Sequence, residues 1–368
     1  MAISKTTLAI APVAVAALLY RLVEFDPAPM PEEALSRSPN VPANRYGVLG
    51  SAERIGEGLL PSNEDLAYDA DTGLLYTGCS DGWIKRFHVE DSAEKVKVEN
   101  WAYTGGRPLG LAFGPDKQLT VADADKGLLR VISNGEGGAT PKVELLTDEA
   151  EGLKFRLTDS QDVGRDGVIY FTDASYKYSY ADHLYDLLEG RPYGRLLSFD
   201  PSTNETKVLV RDLYFANGVT LSPDQEFLIF CETMLQRCNK YHLQGKKKGI
   251  VENFIDNLPG MPDNIRYDGD GHYWIALAAG KTAIWETLLR YPIARKAVWI
   301  LEKLKLPLPD MFSNAGVIAV DLKGEAIAYF TEPGLFTITG GLQIRNQLYM
   351  ASLANSYIIR FNLTFHLS

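Results

Sequence analysis

Cysteine, histidine and clustered positive charge are all scarce in this sequence, and each scarcity removes a class of protein. Three cysteines in 368 residues are too few for a disulfide scaffold. Cys231 and Cys238, which flank a hairpin-like stretch, are candidates to bridge in an oxidising compartment, which would leave Cys79 as a buried thiol; the alternative is that all three are small hydrophobic residues with no redox role. The five histidines, His88, His183, His242, His272 and His366, show no pairing at a zinc-ligand spacing. A net charge of −10, with Lys246-Lys247-Lys248 as the sole compact basic run, argues against nucleic acid as a partner, which needs a basic stripe to neutralise phosphates.

Long apolar runs are equally rare. Leu8 to Tyr20 is preceded by Lys5 and ended by Arg21, and its 13 residues suit a signal-peptide core better than a spanning helix. Residues 1–25 are therefore expected to be a signal peptide or signal anchor, and 26–55, with its Pro-rich start, a linker and entry segment. Either form of leader predicts the secretory pathway, whether endoplasmic reticulum, vacuole or extracellular space, with the chain soluble or membrane-anchored. The sequons at Asn204 and Asn362 fit that route as glycosylation sites.

What the sequence has in quantity is short alternating strands separated by tight turns. "YDADTGLLYTG", "FGPDKQLTVAD", "VGRDGVIYFTD", "LSPDQEFLIF", "YDGDGHYWIA" and "IRNQLYMAS" each read strand, turn, strand. Taking Asp71, Asp116, Asp166, Asp224 and Asp270 as markers, the spacings are 45, 50, 58 and 46 residues, about the length of one four-stranded blade. Six such units predict an all-β fold, a six-bladed β-propeller over residues 56–368, with a β-sandwich as runner-up. Residues 281–306 depart from the pattern. Ile284, Trp285, Leu288 and Leu289, then Ala297, Val298, Ile300, Leu301 and Leu304, follow helical spacing on either side of Pro292. The insert is expected to pack on one face of the ring. Its cluster of Lys281, Arg290, Arg295, Lys296, Lys303 and Lys305 also raises the alternative of a lid or a membrane-touching amphipath.

Propeller geometry gives the turn markers a second use, because the innermost strand of every blade begins near the central channel. Counting back seven residues from each marker reaches Glu64, Leu109, Asp159, Asn217 and Asp263, and the last unit offers Ile338 or Thr339. Four oxygen-bearing side chains thus share one register, with Asn264 beside them as a fifth donor. Converging carboxylates repel unless a cation neutralises them, and hard oxygen donors without sulfur or imidazole select Ca²⁺.

These residues carry a family resemblance. "GRLLSFDPSTNETKVLVRDLYFANGVTLSPDQEFLIFCET" (194–233) and "LPGMPDNIRYDGDGHYWIAL" (258–277) resemble the plant strictosidine synthase-like proteins and, more distantly, adipocyte plasma membrane-associated protein and the paraoxonases. The resemblance implies a six-bladed propeller over roughly residues 50–365 with Ca²⁺ in the central channel. It matches Glu64, Asn217, Asp263 and Asn264 to the family's ligands and puts Asp159 where an Asn is more usual. It also likens Asp65 to a ligand of a second calcium, with Ser160 at the place of the usual Asp partner. Leu109 stands where paraoxonases carry a His. No carboxylate occurs from Leu335 through Tyr349, where strictosidine synthase has its acid/base Glu, and Leu342 lies near that place.

The expected function is accordingly a Ca²⁺-dependent hydrolase of esters, lactones or similar small molecules, acting as a monomer. Asp263 or Glu64 would serve as nucleophile or general base. Trp285, Tyr291 and Trp299 are candidates for shaping an apolar pocket. The alternatives are a non-catalytic, Ca²⁺-stabilised binding propeller and an amine–aldehyde condensation of the strictosidine synthase type. His183, in the long connection before the fourth unit, is expected as a solvated loop residue, with a proton-shuttle role as the alternative.

Overall fold

A computed structural model describes residues 25–35, 38–90, 92–133 and 140–364. The expected leader, apart from Phe25, lies outside them. Six antiparallel sheets follow one another round a central axis as the blades of a propeller. Their innermost strands are Leu66–Asp69, Pro108–Phe113, Thr158–Val163, Ala216–Leu221, Gly260–Tyr267 and Ile338–Ile344 for blades 1 to 6. The core is divided, with one buried cluster beneath the helices, where Leu109, Leu157, Phe215 and Met261 meet Leu187, Trp285 and Trp299, and others between neighbouring blades. Among the described residues one buried cluster occupies each of the six blade junctions, such as Trp274, Phe330, Leu348 and Phe361 between blades 5 and 6. The turn markers do the work their chemistry suggests: Asp116, Asp166 and Asp224 each accept a hydrogen bond from the amide two residues on, at 3.0–3.1 Å.

The ring closes where a strand from before blade 1 joins the last strands in one sheet. Glu53–Ile55 pairs antiparallel with Ile358–Asn362 as the outer strand of blade 6, and Asn44–Tyr46 adds a parallel edge to blade 5. The segment 26–55 is thus partly built into the ring rather than only leading to it, because closure leaves an edge that a strand from the other end can satisfy. Cys231 and Cys238 face each other across two strands of blade 4 and are joined as a disulfide, while Cys79 is a buried free thiol.

Four short helices are described. Helix α1 (Glu32–Leu35) belongs to the N-terminal strap, α2 (His183–Glu189) interrupts blade 3, and α3 (Ala283–Arg290) and α4 (Pro292–Lys303) interrupt blade 5. The insert therefore breaks at Pro292, as the spacing predicted, with Thr282 capping α3 by accepting the Trp285 amide. Both interruptions leave and re-enter their blades at the end of the channel where the innermost strands begin: Gly260 pairs with Gly280 immediately before α3. Phe25 stacks on Trp299 of α4 at 4.8 Å, and the buried Arg295 donates to the carbonyls of Leu188 and Ala28. Strap, α2 and α4 are thereby one cap. No helix among the described residues is long and apolar enough to cross a membrane.

A candidate metal centre beneath the cap

The four oxygen-bearing residues that share a register, and Asn264 beside them, do converge, by a device that the register count does not contain. In blades 2 to 5 the innermost strand is bulged, so that two residues oppose one on the neighbouring strand: Leu109-Gly110, Asp159-Ser160, Asn217-Gly218 and Asp263-Asn264. A bulge swings consecutive side chains out of strict alternation. Asp263-Asn264 therefore does not begin its strand, which starts at Gly260, and instead sits three residues inside it. Glu64 precedes the first strand of blade 1 and is fixed by its amide, which donates to the Gly78 carbonyl at 3.2 Å. Glycine beside a register position lets adjacent blades meet: a Cβ on Gly218 would lie 2.4 Å from the Asp263 carbonyl oxygen, and one on Gly110 would lie 2.7 Å from that of Asp159.

Glu64, Asp159 and Asp263 each place a carboxylate oxygen within 4.8 Å of the others, all buried. Asn264 Nδ2 donates to Glu64 Oε1 at 2.7 Å and more weakly to Asp263 Oδ1 at 3.4 Å. The amide and carboxylate oxygens fare differently. Glu64 Oε2, Asn217 Oδ1 and Asn264 Oδ1 are buried without a hydrogen-bond partner, although buried acceptors are nearly always satisfied. Burial and then mutual repulsion push the carboxyls of Glu64 and Asp159 well above the usual carboxylate range, and burial foremost raises Asp263 to about 8. An all-oxygen donor set, unpartnered and short of positive charge, fits a hard cation.

One level further along the axis the same chemistry is already satisfied. Asp65 accepts from the amides of Leu66 and Leu111 at 2.8 and 2.9 Å and is salt-bridged to Arg266. That guanidinium also donates to carbonyls of Leu111, Gln161 and Val219, at 3.1, 3.1 and 3.4 Å, so it ties blades 1 to 4 to its own blade 5. The second calcium that the resemblance implied for Asp65 thus meets an arginine at that carboxylate. Ser160, at the place of the missing Asp, accepts the Val219 amide through Oγ at 3.3 Å.

Above the carboxylates lies a narrow cavity of about 70 Å³, lined by Glu64, Asp159, Asn217 and Asp263 on its floor and by Leu157, Leu187, Phe215, Met261 and Phe312 on its walls. That is room for a few waters beneath the cap. The tryptophans do not shape it. Trp285 is core, its indole donating to the Met311 carbonyl, Trp299 packs on Phe25, and Tyr291 is exposed. His183 is the opposite correction: it lines the cavity instead of standing in solvent. Its position could be found in the sequence only as a loop residue, since nothing local says which loop folds over the mouth. Arg266 did carry a signal, two residues beyond Asn264 on the same strand. Both sequon asparagines, Asn204 and Asn362, are exposed.

Comparison with known proteins bears on the family and the fold. Residues 159–246 match the family model for strictosidine synthase, and 48–87 that for the strictosidine synthase-like N-terminal region. STRICTOSIDINE SYNTHASE-LIKE 7 of Arabidopsis thaliana is 51% identical over 356 residues, covering 96% of this chain and 94% of that protein. Adipocyte plasma membrane-associated protein of Gallus gallus is 32% identical over 330 residues, covering 86% and 79%. Among solved structures, a gluconolactonase of Xanthomonas campestris superposes with a TM-score of 0.59 at 16% identity, covering 86% of this chain and 91% of that one. Regucalcin of Agrobacterium tumefaciens, a calcium-binding protein, gives 0.58 at 15% identity, covering 87% and 95%.

Proposed function

The chain belongs to the strictosidine synthase-like family, and we propose that within it this protein is a calcium-dependent hydrolase of small apolar esters or lactones. The observation that carries the reading is the set of buried, unpartnered oxygens on Glu64, Asn217 and Asn264 beside the carboxylates of Asp159 and Asp263, at the floor of an apolar cavity. Those five residues would hold Ca²⁺, which when bound supplies a Lewis acid for the carbonyl or phosphoryl oxygen of a substrate. The chain's own part is to bind the acyl or alkyl group against Leu157, Leu187, Phe215, Met261 and Phe312, and to exclude bulk water beneath the cap. Asp263 and Glu64 are the carboxylates in reach of a substrate carbonyl.

Condensation of an amine with an aldehyde is disfavoured by the same cavity. Ring closure there uses a base at the blade-6 position, and blade 6 lines the cavity with Thr337 and Leu353 only, while Leu342 lies beside Arg266 in a separate groove, so the acids and imidazole that remain in the cavity stand on other blades. The test measures bound calcium and the hydrolysis of phenyl acetate and an alkyl δ-lactone on the same samples of wild type, Asp263→Ala and Asn217→Ala. Calcium and turnover present together, and lost together, support the hydrolase. Calcium without turnover would leave a binding propeller, and absence of calcium from the wild type would reject the site.

A further inference from the structure

Hydrolysis needs a group that takes a proton from water and later gives it up, and five titratable side chains line the cavity: Glu64, Asp159, Tyr180, His183 and Asp263. Three are carboxylates committed to the cation in the reading above, on which this inference rests. Of the other two, only an imidazole gains and loses a proton near neutrality.

The surroundings of His183 fix which nitrogen is available. Its Nδ1 lies 2.7 Å from the carbonyl oxygen of Tyr180. A carbonyl only accepts, so the hydrogen resides on Nδ1 and Nε2 carries the lone pair. The ring is held in place as well as in tautomer. Tyr180 stacks on the imidazole with centroids 5.5 Å apart and planes at 27°, and the guanidinium of Arg107 lies 5.2 Å from the centroid of the Tyr180 ring. Arg107 in turn donates to the Ser62 carbonyl at 2.7 Å, two residues before Glu64. The stack therefore ties the start of α2 to the loop that carries the first carboxylate. Burial lowers the His183 pKa, which keeps the ring neutral and able to accept.

We propose that His183 is the proton-transfer residue of the hydrolytic step, with Nε2 as the atom that accepts and returns the proton. As the water oxygen bonds to the carbonyl carbon, one water O–H bond breaks, its proton passes to Nε2, and the carbonyl π pair moves onto oxygen. That pair then re-forms the carbonyl while the bond to the leaving oxygen breaks, and the leaving oxygen takes the proton from Nε2. Ester and water become acid and alcohol, and the imidazole returns to its starting state. Arg107 and Tyr180 act as positioning residues, through the ring they hold.

Wild type, His183→Gln and His183→Phe would be compared for calcium affinity, melting temperature and turnover of phenyl acetate, with ¹⁵N resonances of the wild-type imidazole reporting its tautomer. The expected result is calcium affinity within about twofold of wild type, kcat lower by about 10²-fold or more, partial rescue by free imidazole, and hydrogen on Nδ1. A His183→Phe protein with wild-type kcat, or a wild-type ring protonated on Nε2 alone, would overturn the proposal while leaving the hydrolase reading intact. Loss of calcium together with activity in both variants would make His183 structural and equally overturn it. If calcium-loaded wild type turns over no ester or lactone, the hydrolase reading itself fails and this role falls with it.

Discussion

Glu64 and Asp65 are neighbours in the chain, both fully buried carboxylates on the axis of the ring, and their fates are opposite. Asp65 has two backbone amides and the Arg266 guanidinium. Glu64 has one amide donor from Asn264, two further carboxylates nearby and an oxygen with no partner. An isolated buried charge costs several kcal/mol unless paired, and one level of the axis carries its counter-charge in the sequence while the other has none within hydrogen-bond reach. The difference separates a structural pin, neutralised from within, from the level proposed above to hold a cation, whose acceptors stay open.

The comparison is broken most completely by Asp263→Ala, which removes a charge from the open level. Calcium binding is expected to be lost and turnover to fall by at least about 10²-fold, as read by metal analysis and esterase assay, with the unfolding midpoint in the absence of calcium unchanged or higher. At the closed level, Arg266→Met strands Asp65 and is expected to cost about 3–5 kcal/mol in urea unfolding. Adding Asp65→Asn should recover much of that loss, and a double mutant no more stable than Arg266→Met would refute the pairing.

Proton linkage sharpens the contrast. The folded-state pKa values of Glu64, Asp159 and Asp263 are raised, the last to about 8, against about 4 in an unfolded chain. The folded state then binds more protons than the unfolded one, so calcium-free protein is expected to lose stability as pH rises from about 4 to 8. Calcium should reverse that trend and bind more tightly as pH rises. Melting curves with and without chelator check it, and a chelated protein whose melting temperature is flat across that range would contradict the open level described here. Gly218→Ala comes next in size. The added Cβ presses on the backbone of Asp263, and a stability loss of about 1–3 kcal/mol with weakened calcium binding is expected. Smallest is Thr339→Val, which deletes the 3.0 Å hydrogen bond from Oγ1 to the Glu64 carbonyl and should cost about 1 kcal/mol.

Much of this is legible in the sequence. Turn chemistry repeats, so the markers gave six blades, and a fixed offset from them reached Glu64, Asp159, Asn217 and Asp263, because a closed ring brings equal positions to one axis. The bulges were not readable, since a bulge is a property of two strands and the notation of one strand hides it. For Arg266 the sequence offers only its place two residues beyond Asn264, and its role as a pin is recognisable from the carbonyls of the other blades that surround it. As aromatic residues of the insert, Trp285, Tyr291 and Trp299 are the pocket walls the sequence suggests, yet helical packing turns both tryptophans inward and leaves Tyr291 exposed, and Phe215, Met261 and Phe312 from three separate loops and strands take that place.

The sequence by itself determined the ring, its number of blades and the chemical character of its axis, because strand alternation, turns and register are local and periodic. Tertiary structure decided which of two adjacent carboxylates is neutralised from within, which loop closes the mouth, and which histidine faces the cavity. Those outcomes depend on contacts between residues 100 or more positions apart, such as Asp65 with Arg266 and Ala28 with Arg295, and no local pattern encodes the distance between them.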